Sequence, residues 1–137
     1  MIRLPLFAGL AALALATPAL AQDAAKGESE FKKCKACHMI VAPDGTDIVK
    51  GGKVGPNLYG IVGRAVAAQE DYKYSDSLAA VGASGLVWDE AELAVYMTDP
   101  KAWLVEKTGD AGAKTKMTFK LAKNQADVTA FLASVAQ

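Results

Sequence analysis

Apolar residues recur at helical spacing in several stretches of the chain and run almost unbroken in one. The unbroken one is residues 4–16, nearly all Leu, Ala and Phe, with Arg3 before it and Ala19-Leu20-Ala21 after it. A basic start, a short apolar stretch and an A-x-A site are the parts of a cleavable secretory signal. The stretch is too short to cross a bilayer. A signal peptide over 1–21, cleaved after Ala21, and a single exported domain over 22–137 with no membrane anchor are therefore predicted.

Within 22–137 the pattern predicts helices. Asp23 can cap one over 23–38 whose inward face is Ala24, Gly27, Phe31 and Cys34. A short helix is predicted at 75–81 and a firmer one at 89–98, with Asp89 as cap, Glu90 and Glu92 in the first turn and Pro100 as its stop. The stripe of the latter is Leu93, Tyr96 and Met97. Another short helix starts near Pro100 and buries Trp103 and Leu104. The last, about 125–135, is capped by Asn124 and carries Val128, Phe131, Leu132 and Val135 on one face. Gly27 inside a helix costs about 1 kcal/mol relative to Ala, so a close crossing is predicted there, with the glycine against the ring of Phe131. No strand pattern and no repeat is seen, and the class is all-α with irregular loops.

Charge narrows the picture a little. The chain holds 15 Lys+Arg and 15 Asp+Glu; losing Arg3 leaves 14 against 15, and such a balance does not point to a nucleic-acid partner. Its distribution is uneven. Lys101, Lys107, Lys114, Lys116, Lys120 and Lys123 face only Glu106 and Asp110 over 101–123, whereas 65–94 holds one lysine, Lys73, against six acids.

The candidate chemistry lies in Cys34-Lys35-Ala36-Cys37-His38. C-x-x-C-H reads as a covalent haem attachment, with two thiols for the porphyrin and a histidine for the iron. Structural zinc wants four protein ligands, and the chain has two cysteines and one histidine. A thioredoxin-like dithiol needs a βαβ context that is absent here, and a disulfide this short would add little stability. A haem also gives the turn-rich stretch 41–63 an apolar body to wrap. Its Pro56 reads equally as a simple turn residue or as a carbonyl that anchors the second nitrogen of the histidine.

The second iron ligand follows by elimination. The only histidine is used. Met1 leaves with the signal, Met39 adjoins the proximal ligand, and Met97 sits on a helix's core face. Met117 remains, in an irregular segment that asks for no apolar anchor. With both axial positions filled, the iron can only change oxidation state. Burial and a soft thioether both favour the reduced form, so a high-potential one-electron carrier is predicted, not an enzyme.

The ordered set Gly27 with Phe31, Cys34 to His38, Gly55 to Gly60, Gly63-Arg64, Tyr72 to Asp76, Trp88, Tyr96, Lys114 to Phe119, and Val128 with Phe131 resembles the class I c-type cytochromes of the cytochrome c2 type, soluble carriers of purple bacteria. The resemblance covers essentially all of 22–137. It implies the class I cytochrome c fold, several short helices and long loops wrapped around one covalent haem c. It implies thioethers from Cys34 and Cys37, His38 as proximal ligand, Met117 as distal ligand and Pro56 as the acceptor for His38. Trp88 and Tyr74 resemble donors to an inner propionate, with Arg64 as a nearby cation; from the residues alone they read as core aromatics and a solvated charge. The stretches 44–53 and 104–113 are longer than in the mitochondrial protein.

Beyond the site, the family implies a periplasmic monomer that takes electrons from a cytochrome bc1-type complex and passes them to a photosynthetic reaction centre or cytochrome oxidase. Lys33, Lys35, Lys53, Lys114, Lys116 and Lys120 are then expected to ring the haem edge and steer transient acidic protein surfaces onto it. The competing reading is a ligand-binding or peroxidase-like c-type haem protein in which the Met117 bond is labile.

Overall fold

The computed structural model describes residues 22–137; the predicted signal peptide, 1–21, lies outside the described residues. Five helices and one small hairpin follow in the order α1 (Ala24–Phe31), β1 (Ile40–Val41), β2 (Asp47–Val49), α2 (Asp76–Ala83), α3 (Glu90–Thr98), α4 (Pro100–Thr108) and α5 (Gln125–Ser134).

Helix α1 starts where its cap predicts, with Asp23 accepting from the Lys26 amide at 3.0 Å. It ends at Phe31 rather than 38. Beyond it the bonding tightens from i→i+4 to i→i+3, as in Lys33 N to Glu30 O at 3.0 Å, and the free carbonyls of Lys35 and Cys37 accept from the amides of Gly52 at 2.8 Å and Gly55 at 2.7 Å. Residues 32–37 therefore run in tight turns, with Cys34 N bonded to Phe31 O and Cys37 N to Cys34 O.

Helices α1 and α5 cross as one unit. A Cβ at Gly27 would lie 1.9 Å from the Asp127 carbonyl oxygen and 3.0 Å from Phe131 Cβ. The glycine thus faces the α5 backbone, and the Phe131 ring packs on Phe31 instead, centroids 5.6 Å apart. Asp127 secures the crossing by accepting from the Asp23 amide at 2.9 Å and pairing with Lys26 at 3.1 Å.

Two further expectations are corrected. Asn124 precedes α5 with φ +64 and makes no side-chain cap. The hairpin pairs Ile40 with Val49 and Val41 with Asp47. Strands of two and three residues are too short to leave a period-two pattern. The Asn57 amide clasps the Val41 N–H and C=O at 3.0 and 2.9 Å, which ties this hairpin to the segment that carries Pro56.

Asp89 caps α3 through the Glu92 amide at 2.7 Å. Asp99 ends α3 and caps α4 through Ala102 N at 3.0 Å, so Pro100 opens α4 at a position where a missing N–H costs nothing. Trp103 and Leu104 are buried on α4, as the pattern predicts.

Candidate cofactor site

The helices and loops enclose a cavity of about 360 Å³. Cys34, Cys37, His38, Pro56, Arg64, Tyr74, Trp88 and Met117 all line it, although they come from five separate stretches of chain. Lys33 and Lys116 also reach it, whereas Lys35, Lys53, Lys114 and Lys120 do not.

His38 leaves the turn after α1 with its ring fixed. Nδ1 stands 2.9 Å from the Pro56 carbonyl oxygen, to which it donates, so Nε2 is the nitrogen left for a ligand in the cavity. Burial pulls the imidazole pKa down, against the opposing pull of the Pro56 bond. The neutral ring is the form a metal accepts.

The two cysteines are free thiols. Burial, and after it the Cys37 thiol, push Cys34 up to about 11, so the free thiol is protonated at neutral pH. Among the described residues no three of His, Cys, Asp and Glu are disposed to share a metal ion.

Glycines 51, 52 and 55 lay their segment flush on this turn. A Cβ there would fall 1.8 Å from the His38 carbonyl oxygen, 2.2 Å from that of Ala36 and 2.3 Å from His38 Cε1. Sequence reading marks these glycines only as turns; nothing in one sequence separates a turn glycine from one needed for close approach.

Part of the cavity wall is polar. Arg64 donates to the carbonyls of Asn57 at 2.9 Å and Tyr59 at 3.3 Å, while its Nε is buried with no protein partner. The Tyr74 hydroxyl accepts from the Gln69 amide at 3.2 Å, which leaves its own proton to donate. Trp88 is held by Trp103, stacked at 5.0 Å, and by Tyr96 at 5.1 Å. Trp103 is fixed in turn by its indole N–H to Glu92 at 2.7 Å, and Glu92 pairs with Lys107 at 2.6 Å.

Met117 is half-buried in an irregular segment, its backbone N–H and C=O both bonded to the Thr115 hydroxyl at 3.0 Å. Met97 is a core residue, 8% exposed, yet it also lines the cavity. Tyr72, to which no role attached in the sequence, lines it as well, bonded to the Val54 carbonyl at 2.9 Å and edge-on to Tyr74 at 4.8 Å.

A haem fits this site on its own terms. The walls are largely apolar, two free thiols and an oriented imidazole stand together on one turn, and a buried Arg64 N–H has no acceptor among the described residues and suits an anionic one. A helical fold wound about such a cavity, with its attachment turn after the first helix, is that of a class I c-type cytochrome.

Comparison with known proteins agrees. The chain is 66% identical over 136 residues to cytochrome c-550 of Paracoccus versutus, covering 96% of this chain and 88% of the relative. It is 61% identical over 128 residues to cytochrome c2 of Rhodobacter capsulatus, covering 93% of each. The crystal structure of cytochrome c2 from Paracoccus denitrificans superposes with a TM-score of 0.83 at 64% identity, covering 85% of this chain and 98% of that one. No family model matches. The chain belongs to the cytochrome c2 and c-550 family. It is an electron-transfer protein, not an enzyme, and the family's cofactor is a covalent haem c.

Proposed function

We propose that the mature protein, residues 22–137 released by cleavage after Ala21, is a monomeric periplasmic carrier whose haem c iron is held by His38 and Met117. In this reading it takes electrons from a cytochrome bc1-type complex and delivers them to a photosynthetic reaction centre or a terminal oxidase. The observation that carries the ligand set is the commitment of the chain's single histidine to Pro56, with Met117 on the wall of the same cavity.

Haem bound there supplies a one-electron ferric/ferrous couple. The protein does the rest. Cys34 and Cys37 hold the group by thioethers. Pro56 orients His38 and raises its basicity. Met117 supplies a soft ligand and closes the position that oxygen, peroxide or carbon monoxide would need. Arg64, Tyr74 and Trp88 line the polar part of the wall, where a carboxylate is stable only if hydrogen-bonded or paired. The apolar walls disfavour the more charged oxidised state and limit solvent rearrangement on transfer.

The competing reading, an open ligand-binding or peroxidase-like site, is separated by adding carbon monoxide to the reduced holoprotein at neutral pH. No spectral change within minutes is expected; rapid, tight binding would contradict the closed carrier. A strongly negative midpoint potential would contradict it as well.

The candidate docking lysines divide by their contacts. Lys33 pairs with Glu30 and Lys120 with Asp99, each at 2.6 Å, and the Lys116 ammonium donates to the Lys73 carbonyl and lies 5.8 Å over the Tyr72 ring. Lys35, Lys53 and Lys114 are exposed with no carboxylate in ion-pair range among the described residues. Steering of an acidic partner therefore rests mainly on these three. Replacing all three by Gln is expected to slow association with a reaction centre or oxidase about tenfold at low ionic strength, the difference fading near 0.5 M salt. Stopped-flow rates that show no dependence on salt would rule out the steering.

A further inference from the structure

Lys101 belongs to the basic run over 101–123, but its ammonium is engaged by the backbone of its own fold. It stands in the first turn of α4, where the helix dipole disfavours a cation. From there it donates to the carbonyl of Ala113 and, at 3.4 Å, to that of Ala111. Both carbonyls belong to the irregular segment that follows Gly109, where α4 ends with φ +69.

A second element holds the same segment from the other side. The backbone N–H of Lys114 donates 2.9 Å to the Ser77 hydroxyl of α2. Between these two holds the Ala113 side chain is buried, 1% exposed. The segment closes on itself only through Asp110, which accepts from the Gly112 amide at 2.7 Å and, by its carbonyl, from that of Ala113 at 3.0 Å. Met117 lies three residues beyond Lys114 with no helix or strand in between.

We propose that Lys101 and Ser77 are positioning residues for Met117, clamping residues 111–114 between α4 and α2 so that the thioether is presented to the cavity. The proposal rests on the reading of Met117 as an iron ligand. A charge-assisted bond to two carbonyls is a stronger hold than a neutral one. Removing it leaves two acceptors facing water and the loop free to open, while the apolar stem can remain.

The test is hydrogen exchange on the ferric holoprotein of Lys101→Met, Ser77→Ala and Lys101→Arg, read peptide by peptide, with carbon monoxide binding to the reduced forms. Lys101→Met is expected to raise exchange over 110–118 about tenfold and Ser77→Ala several-fold, with α1 and α5 unchanged. Lys101→Arg, whose guanidinium can reach both carbonyls, is expected to restore slow exchange. Carbon monoxide should enter the Lys101→Met protein faster in the same proportion. Exchange unchanged in both disruptive variants would overturn the clamp, whatever carbon monoxide does. Faster exchange without faster carbon monoxide entry would overturn the positioning of Met117 by the clamp, whereas Met117 as the ligand fails only if Met117→Ala itself does not admit carbon monoxide.

Discussion

Replacing Met117 by alanine is expected to convert the reduced holoprotein into a carbon monoxide binder, raising its apparent affinity by about a hundredfold or more. A ligand that must wait for an occupied position to open binds with an affinity reduced by the open fraction, and minor open states are typically about 0.1–10% populated. Removing the thioether abolishes that competition. The midpoint potential is expected to fall in the same variant, because methionine ligation raises it. The fold should survive, since Met117 is half-buried outside the helices and its Thr115 bonds are made by its backbone. Met97→Ala is the informative control: its side chain is in the core, so its loss should cost about 2–5 kcal/mol of stability without admitting carbon monoxide. If the two variants exchanged these phenotypes, Met97 would be the ligand.

The helices were legible because their signals are local. Asp23 and Asp89 cap where they stand in sequence, and Pro100 punctuates the chain as its chemistry requires. What was not legible depends on distant partners. The first helix gives way after Phe31 to i→i+3 turns on which the amides of Gly52 and Gly55 dock, and Asn124, at φ +64, makes no side-chain cap for the last helix. Among the candidate site residues, the attachment pentapeptide and Met117 stand out in the sequence because the chain offers so few thiols, imidazoles and thioethers. Arg64 could not be read without a family to compare it with: a lone arginine looks like surface charge until its buried, partnerless Nε is seen. Lys101 was misleading for the opposite reason, its charge spent on carbonyls within the fold rather than on a partner.

Gly55→Ala is expected to damage the site most among the small substitutions, and by a route that sequence alone does not show. The added Cβ would meet His38 Cε1 at 2.3 Å, Nδ1 at 2.6 Å and Nε2 at 2.8 Å. Neither side can yield cheaply. The ring is held by Pro56 at 2.9 Å, and the Gly55 amide is held by the Cys37 carbonyl at 2.7 Å. Relief therefore requires turning the imidazole off Pro56 or lifting the 51–55 segment off the attachment turn. Overpacking of this kind costs about 3 kcal/mol, and either escape moves the His38 ring from its place on the cavity wall. The haem-to-protein absorbance ratio of the purified variant should drop, and the holoprotein that does form should show a shifted midpoint. Gly45→Ala separates this from a general intolerance of glycine replacement. A Cβ there meets nothing within 4 Å and pays only for φ +87, about 1 kcal/mol, with the haem spectrum unchanged. A Gly55→Ala protein as stable and as fully loaded as Gly45→Ala would show that the glycine segment does not position His38.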